Sequence, residues 1–300
     1  MRVHVRVPAT SANLGPGFDA LGLALGLYNE VTAAEADTVT VTLEGEGVGR
    51  LPATRDNVVA RGVHQAFEAA GRPFKGVALT CVNRIPSARG LGSSAAAWVG
   101  GLAAGNALLG TPLSREALLA LAARAEGHPD NVAAAIFGGL TVSCPIGEDR
   151  IATVSLPVPA ALRWVVLVPE ATSATGEARA VLPESVPHAD AVFNVQRVAL
   201  LLAGLQSQRA EVLAAAFDDR LHQPYRRRLF PWLPAVIDAA RAAGAVGGAL
   251  SGAGPSVLAA VTGDTGLVAR AMEGALTAAG LAGSARALEV DTEGVVSRVI

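Results

Sequence analysis

Residues 86–97 place two glycines and two serines directly before an alanine-rich run, in the order Pro-Ser-Ala-Arg-Gly-Leu-Gly-Ser-Ser-Ala-Ala-Ala. This order predicts a tight loop that leads into the first turn of a helix. The free backbone N–H groups and the positive end of the helix dipole at such a turn attract an anion without a charged side chain. We therefore expect this stretch to bind a phosphate group and the rest of the chain to be organised around it.

The spacing within this stretch excludes the two commonest phosphate-binding loops. No lysine follows Gly92, as a Walker A loop requires, and Ala95 stands where a dinucleotide-binding loop needs its third glycine. The structural alternative is a glycine-rich loop that caps a buried helix, because serine caps are common at helix N-termini.

The amino-acid composition limits which partners the protein binds and which cellular compartment it suits. The chain has 300 residues, of which 51% are hydrophobic, and this is enough for two domains with a large core. A net charge of −2 shows no excess of basic residues of the kind that nucleic-acid binding requires. The two cysteines, Cys81 and Cys144, are too few for a disulfide framework and lack metal-ligand spacing. These features favour a cytoplasmic protein.

Two long uncharged stretches raise the question of a membrane span. Residues 90–114 and 242–263 carry no charged side chain, but glycines interrupt both. We interpret them as buried helices or strands and expect no contact with a membrane. Residues 2–7 alternate strictly between polar and apolar, which predicts a strand and excludes the apolar core of a signal peptide there.

The remaining pattern predicts the fold class. Hydrophobic periodicity predicts strands over 38–43, 77–82 and 257–261 and helices that begin after Asn57, Gly92, Ser114 and Asp130. Strands and helices mix without the regular βαβ period of a doubly wound sheet, so we expect an α+β fold. Residues 170–189 are predicted to be a polar connection that contains proline. Residues 222–228 form a basic turn, for which a solvated run of charges is one interpretation.

Three further motifs accompany the 86–97 loop. Residues 10–19 read Thr-Ser-Ala-Asn-Leu-Gly-Pro-Gly-Phe-Asp, residues 126–133 read Glu-Gly-His-Pro-Asp-Asn-Val-Ala, and residues 250–255 read Leu-Ser-Gly-Ala-Gly-Pro. In this order the motifs resemble those of the GHMP kinases, a family of small-molecule kinases, and in particular the branch that phosphorylates homoserine. The resemblance covers nearly the whole chain.

This resemblance carries its own implications for fold and activity. It implies a two-domain GHMP kinase fold, with an N-terminal ATP-binding domain over 1–155 that is similar to ribosomal protein S5 domain 2. A ferredoxin-like C-terminal domain over 156–300 would complete it. It also implies a Mg²⁺-dependent transfer of the ATP γ-phosphoryl group to the side-chain hydroxyl of L-homoserine, in threonine biosynthesis. The family further suggests a homodimer.

The resemblance assigns the nucleotide and the metal to particular residues. The ATP phosphates are expected at Pro86, Ser87, Ala88, Arg89, Gly90, Leu91, Gly92, Ser93, Ser94, Ala95 and Ala96. Asn57 is expected in the adenine pocket, from its position before an apolar helix. Ser94 and Glu126 are expected to bind Mg²⁺, which prefers one or two protein oxygens together with phosphate and water. Without the resemblance, Glu126 reads as an ordinary glutamate at a helix end.

The acceptor is a zwitterion and needs both a cationic and an anionic partner. Arg179 and Arg226 match the family's carboxylate-binding arginines, and Asp19 matches the partner of the ammonium group. Asn13 and Asn131 are expected to orient the hydroxyl, although Asn13 and Asp19 taken alone also suit a turn or a cap. Asn131, Arg179 and Thr175 are expected to be the catalytic residues. Gly254 is expected to bind the substrate together with the residues named above.

Several other functions share parts of this pattern. Mevalonate, phosphomevalonate and sugar kinases have the same phosphate loop, although a phosphorylated acceptor requires more than two converging cations. Nucleotide-sensing regulators and RNA-binding S5-like domains are alternatives from other classes. The presence of Ser94 and Glu126 disfavours a regulator, and the near-neutral charge disfavours RNA. Asp130 is a candidate general base, but as a helix cap it would be less important than Asn131.

Overall fold

The structure is a computed structural model that describes residues 1–147, 150–207 and 209–300. Their strands form a seven-stranded sheet and a four-stranded sheet. The strands are β1 (Arg2–Asn13), β2 (Gly17–Glu35), β3 (Thr40–Gly45), β4 (Val77–Asn83), β5 (Leu140–Pro145), β6 (Ile151–Leu156), β7 (Arg163–Pro169), β8 (Ala245–Leu250), β9 (Val257–Val261), β10 (Gly283–Leu288) and β11 (Val296–Val299). The helices are α1 (Val58–Ala69), α2 (Ser93–Leu108), α3 (Arg115–Glu126), α4 (Asp130–Phe137), α5 (Thr175–Ala180), α6 (His188–Ser207), α7 (Ala210–Ala216), α8 (Gln223–Arg226), α9 (Leu233–Ala242) and α10 (Thr265–Ala278).

The seven-stranded sheet is built around the long strand β2. It pairs with β1, β4 and β5, and the complete path runs β11-β1-β2-β4-β3 with β5 and β6 attached at β2. All neighbours are antiparallel except the parallel pair β3 and β4. Val3, Val5 and Val7 of β1 are buried and face the helices, while His4 and Arg6 point to the half-exposed face. The alternation of residues 2–7 therefore produces the predicted strand with one wet face.

Helix α2, which follows the 86–97 loop, lies at the centre of the helical layer. It is buried along almost its whole length, which explains why its sequence has no polar face. It packs closely on α1, where Gly62 meets backbone atoms of Gly101 and Leu102. In the part of the chain that is described, no helix is long and apolar enough to cross a membrane.

The four-stranded sheet has the order β10-β7-β9-β8 and covers both a core of its own and part of the first core. Val165 and Leu167 of β7 face α9 and α10, whereas Trp164 and Val166 on the other face belong to the same apolar cluster as the seven-stranded sheet. The last strand, β11, returns to pair with β1. The two halves of the chain therefore share core residues and strands.

Most of the predicted elements are confirmed, and two interpretations, a serine cap and a solvated basic turn, are corrected. The helix after the loop has Gly92 as its N-cap, in a left-handed conformation and without a side-chain cap, so the serine-cap alternative is wrong. The connection over 170–189 contains helix α5. In the basic segment 222–228, Arg227 and Arg228 are exposed but Arg226 is only 2% exposed, so a solvated run of charges does not describe it.

The close packing of α1 on α2 makes a prediction about stability. A Cβ atom added at Gly101 would overlap the backbone of Val59, whereas one added at Gly274, in α10, meets open space. We expect Gly101→Ala to lower the free energy of unfolding by about 1–3 kcal/mol, because neither backbone can yield. Gly274→Ala is the matched control and should raise it by about 0.5–1 kcal/mol. Denaturant unfolding measures both, and equal effects at the two positions would contradict this packing.

Candidate active site

A cavity lies where the two halves of the chain meet, and most of the predicted site residues line it. It is bordered by the β1–β2 turn, the 86–97 loop, the start of α4, helices α5 and α8, and the loop between β8 and β9. The predicted residues that line it are Asn13, Asp19, Ala88, Arg89, Gly90, Gly92, Ser93, Ser94, Ala95, Glu126, Asn131, Thr175, Arg179, Arg226 and Gly254. Tertiary structure therefore brings together residues from motifs that are far apart in sequence.

The carbonyl groups of the 86–97 loop are held by neighbouring segments. The N–H of Thr10 donates to the Leu91 carbonyl at 3.1 Å, and the N–H of Ser173 donates to the Ala88 carbonyl at 3.0 Å. The last two contacts come from the β8–β9 loop: Ser251 Oγ donates to the Gly90 carbonyl at 2.6 Å, and the Ser256 N–H donates to the Arg89 carbonyl at 3.2 Å.

This arrangement leaves the other side of the loop free for an anion. The N–H groups of residues 90–94 donate to no carbonyl within the described ranges. Gly90 and Gly92 have φ values of 75° and 68°, and a Cβ at either would overlap Ser251 or Thr10. Consecutive free N–H groups at a helix N-terminus form an anion-binding concavity. This geometry suits an anion such as a phosphate group.

Ser94 and Glu126 meet at one end of this cavity. The Ser94 hydroxyl donates directly to the Glu126 carboxylate. Burial raises the pKa of Glu126, and it outweighs the lowering effects of the Ser94 hydrogen bond and of His128. Among the described residues no cluster of three or more His, Cys, Asp or Glu side chains is present that would hold a metal ion by itself. These two hard oxygen donors suit a divalent cation that takes its remaining ligands from phosphate and water.

The Glu-Gly-His-Pro-Asp-Asn motif forms a hydrogen-bonded group at the start of α4. His128 Nδ1 lies 2.6 Å from Asp130 Oδ1, which also accepts from the Asn131 N–H at 2.7 Å. Burial opposes a charged His128 ring, but the hydrogen bond and charge of Asp130 outweigh it and raise the pKa of His128. Asp130 was predicted to cap a helix over 132–137. The helix instead begins at Asp130 itself, whose oxygen binds the adjacent N–H and a histidine that the sequence analysis did not assign.

The two asparagines are both held by other parts of the site. Asn131 Oδ1 accepts from the Thr10 hydroxyl at 2.8 Å, next to Gly92 of the phosphate loop. Asn13 Oδ1 accepts from the Asp19 N–H at 3.0 Å, and its Nδ2 donates to the Gly252 carbonyl at 3.0 Å. Asn13 therefore fixes the backbone of Asp19, which adopts an unusual φ of 57°.

Asp19, Arg179 and Arg226, the three charged residues expected to bind the acceptor, all line this cavity. Arg179 forms a bidentate pair with Asp19, at 2.7 and 3.1 Å. Arg226 is buried next to them, donating to the Ala178 carbonyl at 3.1 Å and to the Gly252 carbonyl at 2.9 Å. Burial and the nearby charge of Arg179 lower the pKa of Arg226 to about 10. Two cations and one carboxylate thus converge on one small space.

A second, more apolar cavity of about 420 Å³ adjoins the first and shares Ser93, Ser94 and Thr175 with it. Asn57 and Ser87 also line this second cavity. The Asn57 side chain is already engaged: its Oδ1 caps α1 by accepting from the Val59 N–H at 2.9 Å, and its Nδ2 donates to the Pro52 carbonyl at 2.8 Å. Asn57 lines the cavity wall, and its side-chain amide is engaged by the α1 N-terminus and by Pro52.

Comparison with known proteins identifies the family. The model of the GHMP kinases N terminal domain matches residues 57–139, and that of the GHMP kinases C terminal domain matches residues 200–278. A homoserine kinase from Moorella thermoacetica is 44% identical over 97% of this chain and 98% of its own length. One from Gloeobacter violaceus is 49% identical over 85% of this chain and 86% of its own length. The chain belongs to the GHMP kinase family.

Solved structures of GHMP kinases agree with the fold. The crystal structure of homoserine kinase from Cytophaga hutchinsonii superposes with a TM-score of 0.89 and 31% identity, covering 99% of this chain and 97% of that one. A mevalonate kinase structure superposes with a TM-score of 0.69 at 14% identity and covers 97% of this chain and 99% of that one, so it shows only the shared fold. The two-domain α+β architecture expected for a GHMP kinase is confirmed.

Within this GHMP kinase loop, two predicted phosphate contacts, at Ala96 and Pro86, are corrected. The Leu91 side chain is 1% exposed and belongs to the apolar core, so Leu91 offers an anion only its backbone N–H. Ala96 is equally buried. The Ala96 N–H donates to the Gly92 carbonyl at 2.8 Å, so it has no hydrogen left for a phosphate. Pro86 lines neither of the two cavities. Thr10, Ser173 and His128 are the contributors that the sequence analysis missed. Thr10 and His128 lie within the quoted motifs and Ser173 lies two residues before Thr175, but their roles depend on tertiary contacts.

Arg89 supports the loop from outside. Its Nε donates to the Pro169 carbonyl and its Nη2 to the Glu170 carbonyl, both at 3.0 Å, and its Nη1 lies 3.8 Å from Glu46. The guanidinium therefore ties the phosphate loop to the end of β7 and to the second cavity.

We expect Arg89→Ala to weaken ATP binding about tenfold, which corresponds to about 1.4 kcal/mol, because the loop loses two charge-assisted hydrogen bonds. Arg84→Ala is the matched control, since Arg84 is half-exposed and pairs with Glu30 outside both cavities. Isothermal titration calorimetry measures the dissociation constant. An unchanged value for Arg89→Ala would show that the loop holds its shape without this arginine.

Proposed function

We propose that this chain is a homoserine kinase, which transfers the γ-phosphoryl group of Mg-ATP to the side-chain hydroxyl of L-homoserine to give O-phospho-L-homoserine. The observation that carries this proposal is the group of Asp19, Arg179 and Arg226 beside a phosphate loop. A zwitterionic amino acid with a free hydroxyl is the acceptor that this charge pattern suits. Curated homoserine kinases that are 41–49% identical over most of the chain support the same reaction, which belongs to threonine biosynthesis.

The two adjoining cavities divide the nucleotide between them. The N–H groups of residues 90–94 bind the phosphates, and the apolar cavity accommodates the adenosine, since its walls offer apolar surface from Leu43, Leu51 and Val59. Thr175 and Ser94 line both cavities, at the point where the phosphates pass from one to the other. In this arrangement the γ-phosphate would lie next to the residues proposed to bind the acceptor.

Ser94 and Glu126 are the residues that would hold Mg²⁺, which would neutralise charge on the phosphate oxygens during transfer. Their direct contact gives two hard oxygens at one point of the cavity wall. The partly buried Glu126 carboxylate gains from a cation, because desolvation otherwise disfavours its charge.

Binding of the acceptor replaces the ion pair between Asp19 and Arg179. In the structure Asp19 and Arg179 satisfy each other. The ammonium group of homoserine takes the place of Arg179 at Asp19, while the homoserine carboxylate binds Arg179 and Arg226. Arg179 is half-buried and Arg226 is buried. A planar carboxylate is the best partner for such guanidinium groups.

Catalysis then relies on positioning and on charge stabilisation. Phosphoryl transfer needs little covalent help from the protein when the acceptor is held in line. Asn131 is held by Thr10 and Asp130 and is assigned to orient the substrate hydroxyl, and Thr175 completes the contacts near the phosphates. Asp130 already accepts hydrogen bonds from His128 and Asn131, so positioning by Asn131 contributes more to kcat than proton removal by Asp130.

Other substrates of this fold match the site less well. Mevalonate carries a carboxylate but no ammonium group, so it leaves Asp19 without a partner, and a sugar leaves all three charges unmatched. A phosphorylated acceptor needs more cations than Arg179 and Arg226 provide. A coupled ADP-release assay with homoserine, mevalonate and galactose tests the proposal. Turnover with homoserine alone supports it, and turnover with another acceptor, or with none, overturns it.

The metal site gives one prediction. We expect Glu126→Gln to lower kcat at least tenfold and to raise the Mg²⁺ concentration needed for half-maximal rate, because a neutral amide does not replace a carboxylate facing a hard cation. Glu116→Gln is the matched control, since Glu116 is exposed in the first turn of the same helix, α3. Initial rates over a Mg²⁺ titration measure both effects. An unchanged Mg²⁺ requirement in Glu126→Gln would remove Glu126 from the site.

The acceptor site gives another prediction. We expect Arg179→Ala and Arg226→Ala each to raise the KM for homoserine tenfold or more, because a hydrogen bond to a charged group contributes about 1.5–3 kcal/mol. Arg→Lys at either position should restore only part of the loss, since an ammonium group lacks the planar fork. Arg227→Ala, the exposed neighbour of Arg226, should leave KM unchanged.

Substrate analogues make this prediction more specific. 3-Aminopropan-1-ol keeps the hydroxyl and ammonium of homoserine but lacks the carboxylate. The wild-type preference for homoserine over this analogue should fall strongly in both arginine variants. If the preference is the same in the wild type and in both variants, the carboxylate binds elsewhere.

A further inference from the structure

His222 is fully buried beside Arg226 and contacts it directly. His222 Nδ1 lies 3.0 Å from Arg226 Nη1, and His222 Nε2 lies 2.8 Å from the Gly15 carbonyl oxygen. A carbonyl only accepts a hydrogen bond and a guanidinium only donates one. The ring therefore carries its hydrogen on Nε2, donates it to Gly15, and accepts from Arg226 at Nδ1. These contacts select one neutral tautomer.

The surroundings of the ring favour the same state. Burial lowers the pKa of His222, and the charge of Arg226 lowers it further, against the opposing charges of Asp219 and Asp19. The nearest of these carboxylates, Asp219 Oδ2, lies 3.5 Å from His222 Nε2. That same oxygen accepts the backbone N–H groups of His222 and Gln223, so it is committed to the start of α8. A neutral imidazole is consistent with all of these neighbours.

The ring is also fixed in orientation. It stacks on Phe18 with a centroid distance of 5.2 Å and an interplanar angle of 22°. The Arg226 guanidinium lies 5.4 Å from the centre of the same Phe18 ring, and that of Arg179 lies 5.6 Å from it. Gly15 lies in the β1–β2 turn, and Phe18 and Asp19 follow it at the start of β2. His222 therefore links the arginine in α8 to the turn that precedes Asp19.

The hydrogens of Arg226 are almost all accounted for. Its Nε donates to Ala178, and the two hydrogens of Nη1 go to Gly252 and to His222. Within the described ranges Nη2 donates to no protein acceptor, although Arg226 lines the cavity. Because the fork is planar, fixing Nε and Nη1 also fixes the direction of Nη2.

We propose that His222 is a positioning residue for the acceptor carboxylate: through Nδ1 it fixes the Arg226 fork so that Nη2 faces the substrate. This inference rests on the proposed function, because it concerns how the carboxylate of homoserine is recognised. It separates two roles at the same cavity. Arg179 exchanges Asp19 for the substrate, whereas Arg226 is held rigid by His222 before the substrate arrives.

Two variants of similar size separate positioning from simple packing. In His222→Asn the amide oxygen lies near the original Nδ1 and still accepts from Arg226. In His222→Gln the amide reaches the original Nε2 position and keeps the Gly15 contact, but it offers Arg226 no acceptor. Both variants lose the stacking on Phe18. A purely structural role predicts equal damage, whereas positioning predicts that His222→Gln is the more damaging of the two.

Steady-state kinetics test the proposal. We expect His222→Gln to raise the KM for homoserine about tenfold, with His222→Asn clearly less affected and the KM for ATP unchanged in both. The KM for 3-aminopropan-1-ol should stay unchanged, because this analogue has no carboxylate for Arg226 to bind. In an Arg226→Ala background the additional effect of His222→Gln should vanish. Equal losses in the two variants, or a loss that persists in the Arg226→Ala background, would overturn the proposal.

A measurement on the wild-type protein removes the dependence on variant folding. Nitrogen NMR of the histidine-labelled enzyme should show one ring with its hydrogen on Nε2 and an unprotonated Nδ1 at neutral pH, and Nδ1 should shift when homoserine binds. An imidazolium or the opposite tautomer at His222 would contradict the proposal. Failure of the proposed function looks different: the wild-type enzyme would then not phosphorylate homoserine at all.

Discussion

The site depends on hydrogen bonds that hold the carbonyl groups of the phosphate loop. Thr10, Ser173, Ser251 and Ser256 each donate to one of four consecutive carbonyls in this loop. A peptide unit with its carbonyl fixed on one side presents its N–H on the other, so these contacts turn the N–H groups towards the cavity. The donors come from both halves of the chain. The phosphate site therefore forms only when the whole fold has assembled.

A second constraint is the balance of charge around Arg226. A buried guanidinium is costly unless it is paired and hydrogen-bonded. Here Asp19, Asp219 and Asp130 supply opposite charge, and the Ala178 and Gly252 carbonyls accept hydrogen bonds, while Arg179 adds like charge. The carboxylate of the acceptor improves this balance. The ammonium group of the acceptor pairs with Asp19 and so compensates for the separation of Asp19 from Arg179. Burial of the Arg226 guanidinium thus favours a zwitterionic ligand at this site.

The sequence predicted the phosphate loop, most strands and helices, and the residues that meet at the cavity. These predictions succeeded where the signal is local: the alternation over residues 2–7 produces a strand, and helices begin directly after Gly92 and Ser114. They failed where the outcome depends on distant partners. Local pattern suggested solvent for 222–228, but the approach of Gly252 and Ala178 buries Arg226. Ala96 looked available to a phosphate until the helix took its N–H.

By itself, therefore, the sequence determined the chemical inventory: a loop with free N–H groups, two hard oxygen donors, and two arginines with one aspartate. Only the tertiary structure decided which atoms of that inventory remain available. The Asn57 side chain caps helix α1, and the Asn13 side chain accepts from the Asp19 N–H. Arg226 keeps only Nη2 for a ligand. The physical reason is that each hydrogen-bonding group has a fixed number of donors and acceptors. Contacts between segments far apart in sequence use most of them before any ligand binds.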